Sequence, residues 1–337
     1  AAGTPLAILG AVGRAARHGV IVKGGLHLEV LGRVDTIVLD KTGTLTLGTP
    51  EVVALHRADG ISETELLEAA AIAELPSEHP LGKAVLARAK ARGISPPDPE
   101  RFSYAPGQGI VCSLGGETIV VGSRALLEGE GIAIPPTLTA ASTVLVARGG
   151  RFHGALEVAD VVRPEAGAAI AEIRRMGMRT VLLTGDAAAI GQEVGSRLGV
   201  DVVQAELLPD QKLAKVRELQ AAGRQVAMVG DGINDAPALA QADVGIAMGS
   251  GTDVARESAD VVLLGNDLLK LVEALRVARR CRRIIRQNFA GTLLVDGLGI
   301  VLASVGVLSP LLAAFVHVSS ELLFILNSTR LLPARGP

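Results

Sequence analysis

The chain has 337 residues, a formal net charge of −2 and two cysteines. Its length alone predicts two or three structural units. The balanced charge provides no basic field for nucleic acid, so we expect no nucleic-acid partner. Two cysteines exclude a disulfide-rich scaffold and fit a reducing compartment. Hydrophobic residues make up 49% and aromatic residues 2%, so the core must consist of Val, Leu, Ile and Ala, and the apolar content favours membrane segments.

Residues 1–22 predict the end of a transmembrane helix and a cytoplasmic extension. The run PLAILGAVGRAARHG begins apolar, becomes basic and lacks the pattern of a signal peptide. We therefore expect this segment to lead from a membrane into the cytoplasm.

A discontinuous α/β domain is predicted from residues 23–47 and 156–280. Continuous apolar runs are typical of buried parallel strands, and helical patterns lie between them. This alternation predicts a doubly wound parallel sheet. The predicted strands are 34–40, 179–186, 225–232, 243–248 and 259–264, and the predicted helices are 164–176, 187–198, 209–222 and 235–241.

Residues 48–155 interrupt this alternation and predict a separate inserted α+β domain. The insert has helical patterns at 62–74 and 80–92. Four short strands follow, at 109–114, 117–122, 142–148 and 151–156, and proline-rich stretches mark loops between elements.

Three aspartates stand at the ends of predicted strands: Asp40, Asp186 and Asp231. Ligands bind beyond the carboxyl ends of parallel strands, so we expect the three carboxylates to meet in one crevice. Like charges in one crevice repel unless a cation is present, which argues for Mg²⁺. The alternative is that each aspartate caps the helix after it.

Two apolar segments near the C-terminus, within residues 286–330, predict a pair of transmembrane helices. Residues 290–308 and 311–326 each approach the ~20 residues that a spanning helix needs. Arginines flank both sides, which predicts a hairpin with both ends in the cytoplasm. A buried helical pair in a soluble protein is the alternative.

The run DKTGTLT, residues 40–46, places a carboxylate before a tight glycine loop, where it is a candidate nucleophile for phosphoryl transfer. Lys41 can balance charge, and Gly43 permits close backbone approach. This run resembles the phosphorylation signature of the P-type ATPases. The segments TGD (184–186), LLPDQK (207–212) and MVGDGINDAPAL (228–239) resemble further motifs of that family, in family order.

The resemblance implies a haloacid-dehalogenase-like phosphorylation domain that uses ATP and Mg²⁺ to form an aspartyl phosphate at Asp40. Mg²⁺ would be held by Asp40, the carbonyl of Thr42 and Asp231. Other catalytic roles would fall to Lys41, Thr184, Gly185, Asp186, Lys212, Asn234 and Asp235. One departure from the family pattern is Ala187, where asparagine is usual.

Phosphatases of the haloacid dehalogenase type share this sheet and its first aspartate. They usually carry a second aspartate two residues later as acid and base, and here that position is Thr42. This difference favours a pump, whose aspartyl phosphate must persist. A membrane-tethered phosphatase and a non-catalytic nucleotide-binding module are the alternatives.

The insert resembles the nucleotide-binding domain of the heavy-metal (type IB) ATPases. The segments SEHPLGKAV, PGQG and VGSRALL carry the resemblance, although Ser123 stands where asparagine is usual. A helix cap is the alternative role for the His-Pro pair. The implied nucleotide-binding residues are Glu74, His79, Gly107, Gly109 and Gly122.

No TGE motif is present, so the resemblance implies the C-terminal half of a pump, without the actuator domain and the N-terminal membrane segments. We expect an integral protein of a prokaryotic plasma membrane, embedded in the lipid bilayer, with cytoplasmic catalytic domains.

Ionisable residues inside a bilayer are candidates for function, and the predicted hairpin contains Asp296, His317 and Glu321. Carboxylate and imidazole suit a divalent cation of the Zn, Cd, Co or Ni type better than Cu⁺. A copper transporter, and a His317 that merely reaches toward the membrane edge, are the alternatives.

Overall fold

The structure, a computed structural model, describes residues 3–135, 143–232 and 234–332. The strands in these residues are β1 (Val20–Val22), β2 (Thr36–Asp40), β3 (Thr46–Arg57), β4 (Arg101–Ala105), β5 (Gly109–Leu114), β6 (Glu117–Gly122), β7 (Thr143–Arg148), β8 (Arg151–Val162), β9 (Arg179–Leu183), β10 (Val202–Gln204), β11 (Val226–Gly230), β12 (Val244–Met248) and β13 (Val261–Leu263). The α-helices are α1 (Gly3–Arg17), α2 (Gly25–Leu31), α3 (Glu63–Glu74), α4 (Pro80–Ala91), α5 (Arg124–Gly129), α6 (Ala166–Arg175), α7 (Ala188–Leu198), α8 (Pro209–Ala221), α9 (Ala236–Gln241), α10 (Asp253–Ser258), α11 (Leu269–Ser304) and α12 (Pro310–Thr329).

The chain forms two compact units, one from Ala1–Leu45 with Val162–Pro337 and the other from Thr46–Val161. The first unit contains a seven-stranded sheet in the order β1-β13-β12-β11-β2-β9-β10. Its strands pair in parallel, except that β1 runs antiparallel to β13. This is the predicted doubly wound sheet.

Both faces of this sheet are covered, which explains why its strands are continuously apolar. Along β2, Ile37 and Leu39 belong to one buried cluster, which includes residues of α6 and α11. Val38 belongs to another cluster, with Val216 of α8 and Leu239 of α9. Successive side chains of a strand point to opposite faces, so a strand with helices on both faces is apolar at every position.

The second unit is a six-stranded sheet in the order β3-β8-β7-β6-β5-β4. The pairs from β4 to β8 are antiparallel. Helix α3 begins with a capping box between Ser62 and Glu65. Its alanine-rich face is buried against residues of the sheet that include Ile119 and Val121.

The domain boundaries differ from the predicted ones. The inserted unit spans 46–161 rather than 48–155, because β3 and β8 are twelve-residue strands that extend beyond the predicted limits. Strands β1, β3, β4 and β10 were not predicted. Strand β1 also shows that residues 20–22, assigned to a cytoplasmic extension, form the edge of the first sheet. Its three residues are too few to produce a strand pattern.

The C-terminal region contains one helix, among the described residues, that is long and apolar enough to cross a membrane: Pro310–Thr329. The other predicted span, 290–308, is the end of the 36-residue helix α11, which stops at Ser304. Of that span only residues 290–304 are helical, which is shorter than the ~20 residues that a spanning helix needs. Of the two predicted transmembrane helices, the described residues therefore contain one that meets the length and hydropathy of a membrane span.

A buried polar cluster joins α1, α11 and α12. The Nδ2 of Asn288 donates to the Oγ of Ser328 at 2.9 Å, and that Oγ lies 2.8 Å from the carbonyl oxygen of Gly3, to which it can donate. A Cβ at position 3 would lie 3.0 Å from the Nδ2 of Asn288 and 3.1 Å from the Oγ of Ser328, which is tighter than usual packing. These contacts fix the three helices against one another.

Candidate active site

Asp40 is the last residue of β2, and its neighbours in the sheet determine what surrounds it. In the parallel register Leu39 lies beside Val229 of β11, and Asp40 lies beside Leu183 of β9. The residues that follow these two strands, including Thr184 and Asp231, therefore emerge at the same edge as Asp40. This is the edge at which parallel sheets bind ligands.

The carboxylate of Asp40 is buried and forms an ion pair with the ammonium group of Lys212 on α8. Both side chains are less than a tenth exposed. Burial raises the pKa of Asp40 above its usual value, although the charge and hydrogen bond of Lys212 oppose that rise. The structure thus brings together two residues that lie 172 positions apart in the chain.

Two further carboxylates surround this pair. Oxygens of Asp40, Asp231 and Asp235 all lie within 4.8 Å of one another. The Oδ1 of Asp235 accepts a 2.7 Å hydrogen bond from the backbone N–H of Gly232. Burial, together with the charges of Asp40 and Asp231, raises the pKa of Asp235 to about 7. The cluster thus contains three acidic groups, and Lys212 forms an ion pair with Asp40.

This cluster fits a hard divalent cation. Carboxylate oxygens are the ligands that Mg²⁺ prefers, and the other oxygen of Asp235 is buried without a hydrogen-bond partner. Gly43 has φ +70°, and a side chain there would collide with Asp231. Gly43 therefore provides both the turn and the space for the third carboxylate.

The third member of the cluster differs from the prediction. Asp186 was expected beside Asp40 and Asp231, but Asp235 holds that place. Asp186 instead lies 2.8 Å from the Nζ of Lys41 and accepts a 2.7 Å hydrogen bond from Thr184. These local partners keep Asp186 away from the other aspartates, whereas Asp235 reaches the cluster from the start of α9.

The structure gives three of the described residues, Thr42, Asn234 and Gly185, no side-chain contact in the aspartate cluster. Thr42 and Asn234 are exposed, so the structure does not place these two side chains in the buried cluster. Gly185 lies between Thr184 and Asp186 at the same edge of the sheet. The roles implied for these three residues therefore stay predictions.

Arg163 is buried, and its structural role was not predicted from the sequence. Its guanidinium group donates to the carbonyl oxygens of Thr44 at 2.8 Å, Gly43 at 3.0 Å and Asn266 at 2.7 Å. Its backbone N–H also donates to Leu45 at 2.9 Å. Arg163 thereby holds the loop after Asp40 in place. No sequence pattern distinguishes this arginine from the many on the surface.

The five residues predicted to bind nucleotide line one cavity of about 270 Å³ in the inserted unit. Side chains at Gly109 and Gly122 would collide with the backbone of the neighbouring strand, which explains glycine at both positions. Ser77, Tyr104 and Gln108 also line this cavity and were not predicted. The cavity contains Glu74, His79, Gly107, Gly109 and Gly122.

Two polar side chains face this cavity. The Nδ1 of His79 accepts a 3.2 Å hydrogen bond from the backbone N–H of Leu81, so His79 caps α4, as the alternative interpretation proposed. A neutral imidazole with an accepting Nδ1 carries its proton on Nε2, which is therefore a donor. Burial raises the pKa of Glu74. Capping and ligand binding by His79 are thus compatible.

In the C-terminal helices, Asp296 of α11 and His317 of α12 are in contact. The Nδ1 of His317 lies 3.1 Å from an oxygen of Asp296. Glu321 is one helical turn beyond His317 and partly buried. The structure therefore brings two of the three predicted ion ligands together.

Comparison with known proteins agrees with this fold and site. The chain belongs to the haloacid dehalogenase-like hydrolases, whose family profile matches residues 34–243. It is also similar over nearly its whole length to metal-transporting P-type ATPases. A manganese-exporting P-type ATPase of Mycobacterium tuberculosis (strain ATCC 25618 / H37Rv) is 44% identical over 98% of this chain and 48% of its own length.

A copper-exporting P-type ATPase of Bacillus subtilis (strain 168) is 40% identical over 97% of this chain and 42% of its own length. Among solved structures, a zinc-transporting type IB ATPase in its E2·Pi state superposes with a TM-score of 0.88 at 38% identity, over 98% of this chain and 55% of that one. These proteins confirm the predicted resemblance. The chain spans about half the length of the relatives it matches.

Proposed function

We propose that this chain is the catalytic part of a P-type ATPase that moves a metal cation across a membrane, driven by ATP hydrolysis. The observation that carries the proposal is the buried pair of Asp40 and Lys212 beside two more carboxylates. A site of this kind requires a cation and favours phosphate chemistry, because phosphoryl transfer depends on positioning and charge neutralisation.

In the proposed reaction an oxygen of Asp40 attacks the γ-phosphorus of ATP, and the bond from that phosphorus to ADP breaks. Lys212 would balance the charge of the phosphoryl oxygens, and the hydroxyl of Thr184 would donate a hydrogen bond to one of them. Asp40, Asp231 and the carbonyl of Thr42 would hold Mg²⁺, which supplies charge neutralisation when bound. Lys41 would keep Asp186 in place.

Thr42 supports a pump rather than a phosphatase. A threonine hydroxyl is not a general base at neutral pH, so it cannot activate water as a carboxylate would. The aspartyl phosphate at Asp40 would therefore persist long enough to be coupled to movement in the rest of the protein. The actuator and remaining membrane segments of the relatives would be the partners in that coupling.

Asp40→Asn should abolish transfer of phosphate from γ-labelled ATP to the chain, because an amide is not a nucleophile of this kind. The wild type in Mg²⁺ should give an acid-stable label that hydroxylamine removes. Asp253→Asn, a change at an exposed aspartate, is the matched control and should label as the wild type does. Equal labelling of wild type and Asp40→Asn would refute the proposal.

The cavity of the inserted unit is the proposed adenine site. The Nε2 donor of His79, the buried Glu74 and the close glycines could bind a flat base with its polar edge facing the carboxyl group. Tyr104 offers an aromatic ring to the same space, and stacking on aromatic rings is a common mode of base binding.

His79→Asn tests this site without removing the helix cap, because asparagine is a good N-cap residue. We expect ATP affinity to fall roughly tenfold, about 1.4 kcal/mol, as for one lost hydrogen bond, with little change in Tm. Calorimetry on the full chain carrying Asp40→Asn avoids hydrolysis. His56→Asn, at an exposed histidine of the same unit, is the control. Unchanged affinity in His79→Asn would remove His79 from the site.

The transported ion is proposed to be divalent. The contact between Asp296 and His317 offers an oxygen and a nitrogen ligand, and Glu321 could add a second carboxylate from the face of His317. Such ligands suit Zn²⁺, Cd²⁺, Co²⁺, Ni²⁺ or Mn²⁺ better than Cu⁺. Helix α12 would lie in the lipid bilayer, with the catalytic units in the cytoplasm.

Asp296→Asn should weaken Zn²⁺ or Mn²⁺ binding to the detergent-solubilised chain roughly tenfold or more, the scale seen when metal-site partners are removed. Calorimetry in excess Mg²⁺ keeps the Asp40 cluster from contributing. Asp98→Asn, at an exposed position of the inserted unit, should bind as the wild type does. Binding of Cu⁺ alone, unaffected by Asp296→Asn, would contradict a divalent cargo.

A further inference from the structure

One face of α11 carries four arginines just before the helix becomes apolar. Arg279, Arg282, Arg283 and Arg286 follow the spacing i, i+3, i+4, i+7 and so lie on one side of the helix. They line a cavity of about 590 Å³ together with Arg33 and Asp35. Nothing in the phosphorylation chemistry uses this cavity.

The positive charge of this cavity is poorly balanced. Arg33 is paired with Glu29, and Asp35 accepts a 2.7 Å hydrogen bond from the hydroxyl of Thr36. Asp35 is the one acidic side chain among the described residues that line the cavity. One carboxylate thus faces the four guanidinium groups of α11.

Two of these arginines donate to backbone carbonyl oxygens rather than to carboxylates. Arg279 donates to Met176 and Val34, and Arg282 donates to Gly32 at 3.2 Å. Burial and the charge of Arg282 lower the pKa of Arg279. The cavity is therefore electrostatically suited to an anion, which would relieve this repulsion.

The same helix face continues as an exposed apolar surface. Positions 290, 293, 294, 297 and 301 extend the spacing of the arginines, and Leu293, Leu294 and Val301 are 60%, 69% and 56% exposed. A side chain at Gly297 would meet no atom within 4 Å. At 1.5 Å per residue, this surface extends about 20 Å beyond Arg286.

We propose that this face of α11 binds one anionic phospholipid. The headgroup phosphate occupies the arginine cavity, where Arg283 and Arg286 contact it, and an acyl chain lies along Leu293, Leu294 and Val301. The main support for the proposal is the order of the two surfaces along α11. The arginines are followed directly by exposed leucines, as the charged headgroup of a phospholipid is followed by its acyl chain. Clustered basic residues beside an apolar surface at a membrane interface attract anionic lipid.

Native mass spectrometry of the full chain in a neutral detergent tests the proposal. Dioleoyl phosphatidylglycerol and dioleoyl phosphatidylcholine have the same acyl chains but differ in charge, and glycerol 3-phosphate supplies the headgroup phosphate without a chain. We expect the wild type to retain phosphatidylglycerol about 25-fold more than phosphatidylcholine, as for two contacting arginines, and to retain no glycerol 3-phosphate. Each arginine near an anionic lipid contributes about a fivefold factor.

The double variant Arg283→Gln/Arg286→Gln should retain both lipids equally. No hydrogen bond or ion pair involves these two side chains in the part of the chain that the structure describes, so folding should be unaffected. Arg197→Gln/Arg224→Gln removes the same charge from exposed sites elsewhere in the first unit and should behave as wild type.

Three results would overturn the proposal: equal retention of the two lipids by the wild type, loss of selectivity in the control pair, or retention of glycerol 3-phosphate as tightly as phosphatidylglycerol. The first would show that charge is not recognised. The second would show that net charge alone selects lipid. The third would identify a phosphate site without a lipid.

Discussion

The ion pair between Asp40 and Lys212 is the interaction on which the rest of the first unit depends. Both charges are buried, and removing two charges from water costs several kcal/mol per ion unless they are well paired. Asp231 and Asp235 add two further acidic groups within 4.8 Å. Burial, together with the neighbouring acids, raises the pKa of Asp235, and one lysine does not neutralise the site. The fold must therefore hold together a cluster that repels itself.

Two features of the structure resist this repulsion. The parallel register of β2, β9 and β11 places the functional residues at one edge of the sheet, held by ladder hydrogen bonds rather than by side chains. Arg163 holds the loop from Gly43 to Leu45 through carbonyl oxygens. Leu45 is the last residue before the inserted unit, and Arg163 is the second residue after it. The hydrogen bond between them therefore joins the point where the chain leaves the first unit to the point where it returns.

The sequence predicted a doubly wound sheet and the positions of its main strands along the chain, because continuous apolar runs are required wherever helices cover both faces. It also predicted that Asp40 and Lys212 belong to the catalytic site, because both stand in motifs defined by residue type and order. It did not predict that Asp235 rather than Asp186 joins the cluster, because that choice depends on local partners such as Lys41. Arg163 and Tyr104 were missed for the same reason: their roles arise from contacts between distant parts of the chain.

The C-terminal helices show a different limit of sequence interpretation. Hydropathy predicted two similar spans, but α11 is one continuous helix that changes from an arginine face to an apolar face without a break. Composition describes the arginine-rich part and the apolar part of α11 separately. Only the continuous helix shows that the arginines and the exposed leucines lie on the same helix face. The contact between Asp296 and His317 likewise required the pairing of α11 with α12.

The most direct test of this account is the pH dependence of unfolding in EDTA and in Mg²⁺, for wild type and Asp235→Asn. The pKa of Asp235 is raised to about 7 in the folded protein. The folded carboxyl group therefore keeps its proton up to about that pH, whereas the unfolded chain releases it near pH 4. The free energy of unfolding of the wild type should therefore fall as the pH rises from 4 to 7.

Asparagine can still accept from the N–H of Gly232 and carries no charge. In EDTA the account predicts that Asp235→Asn matches the wild type near pH 4. At pH 8 the variant should be more stable than the wild type by about 2–4 kcal/mol, at about 1.4 kcal/mol per pKa unit. Mg²⁺ should then stabilise the wild type more than the variant. A variant less stable than the wild type at pH 8 in EDTA, or a wild type indifferent to Mg²⁺, would contradict the account.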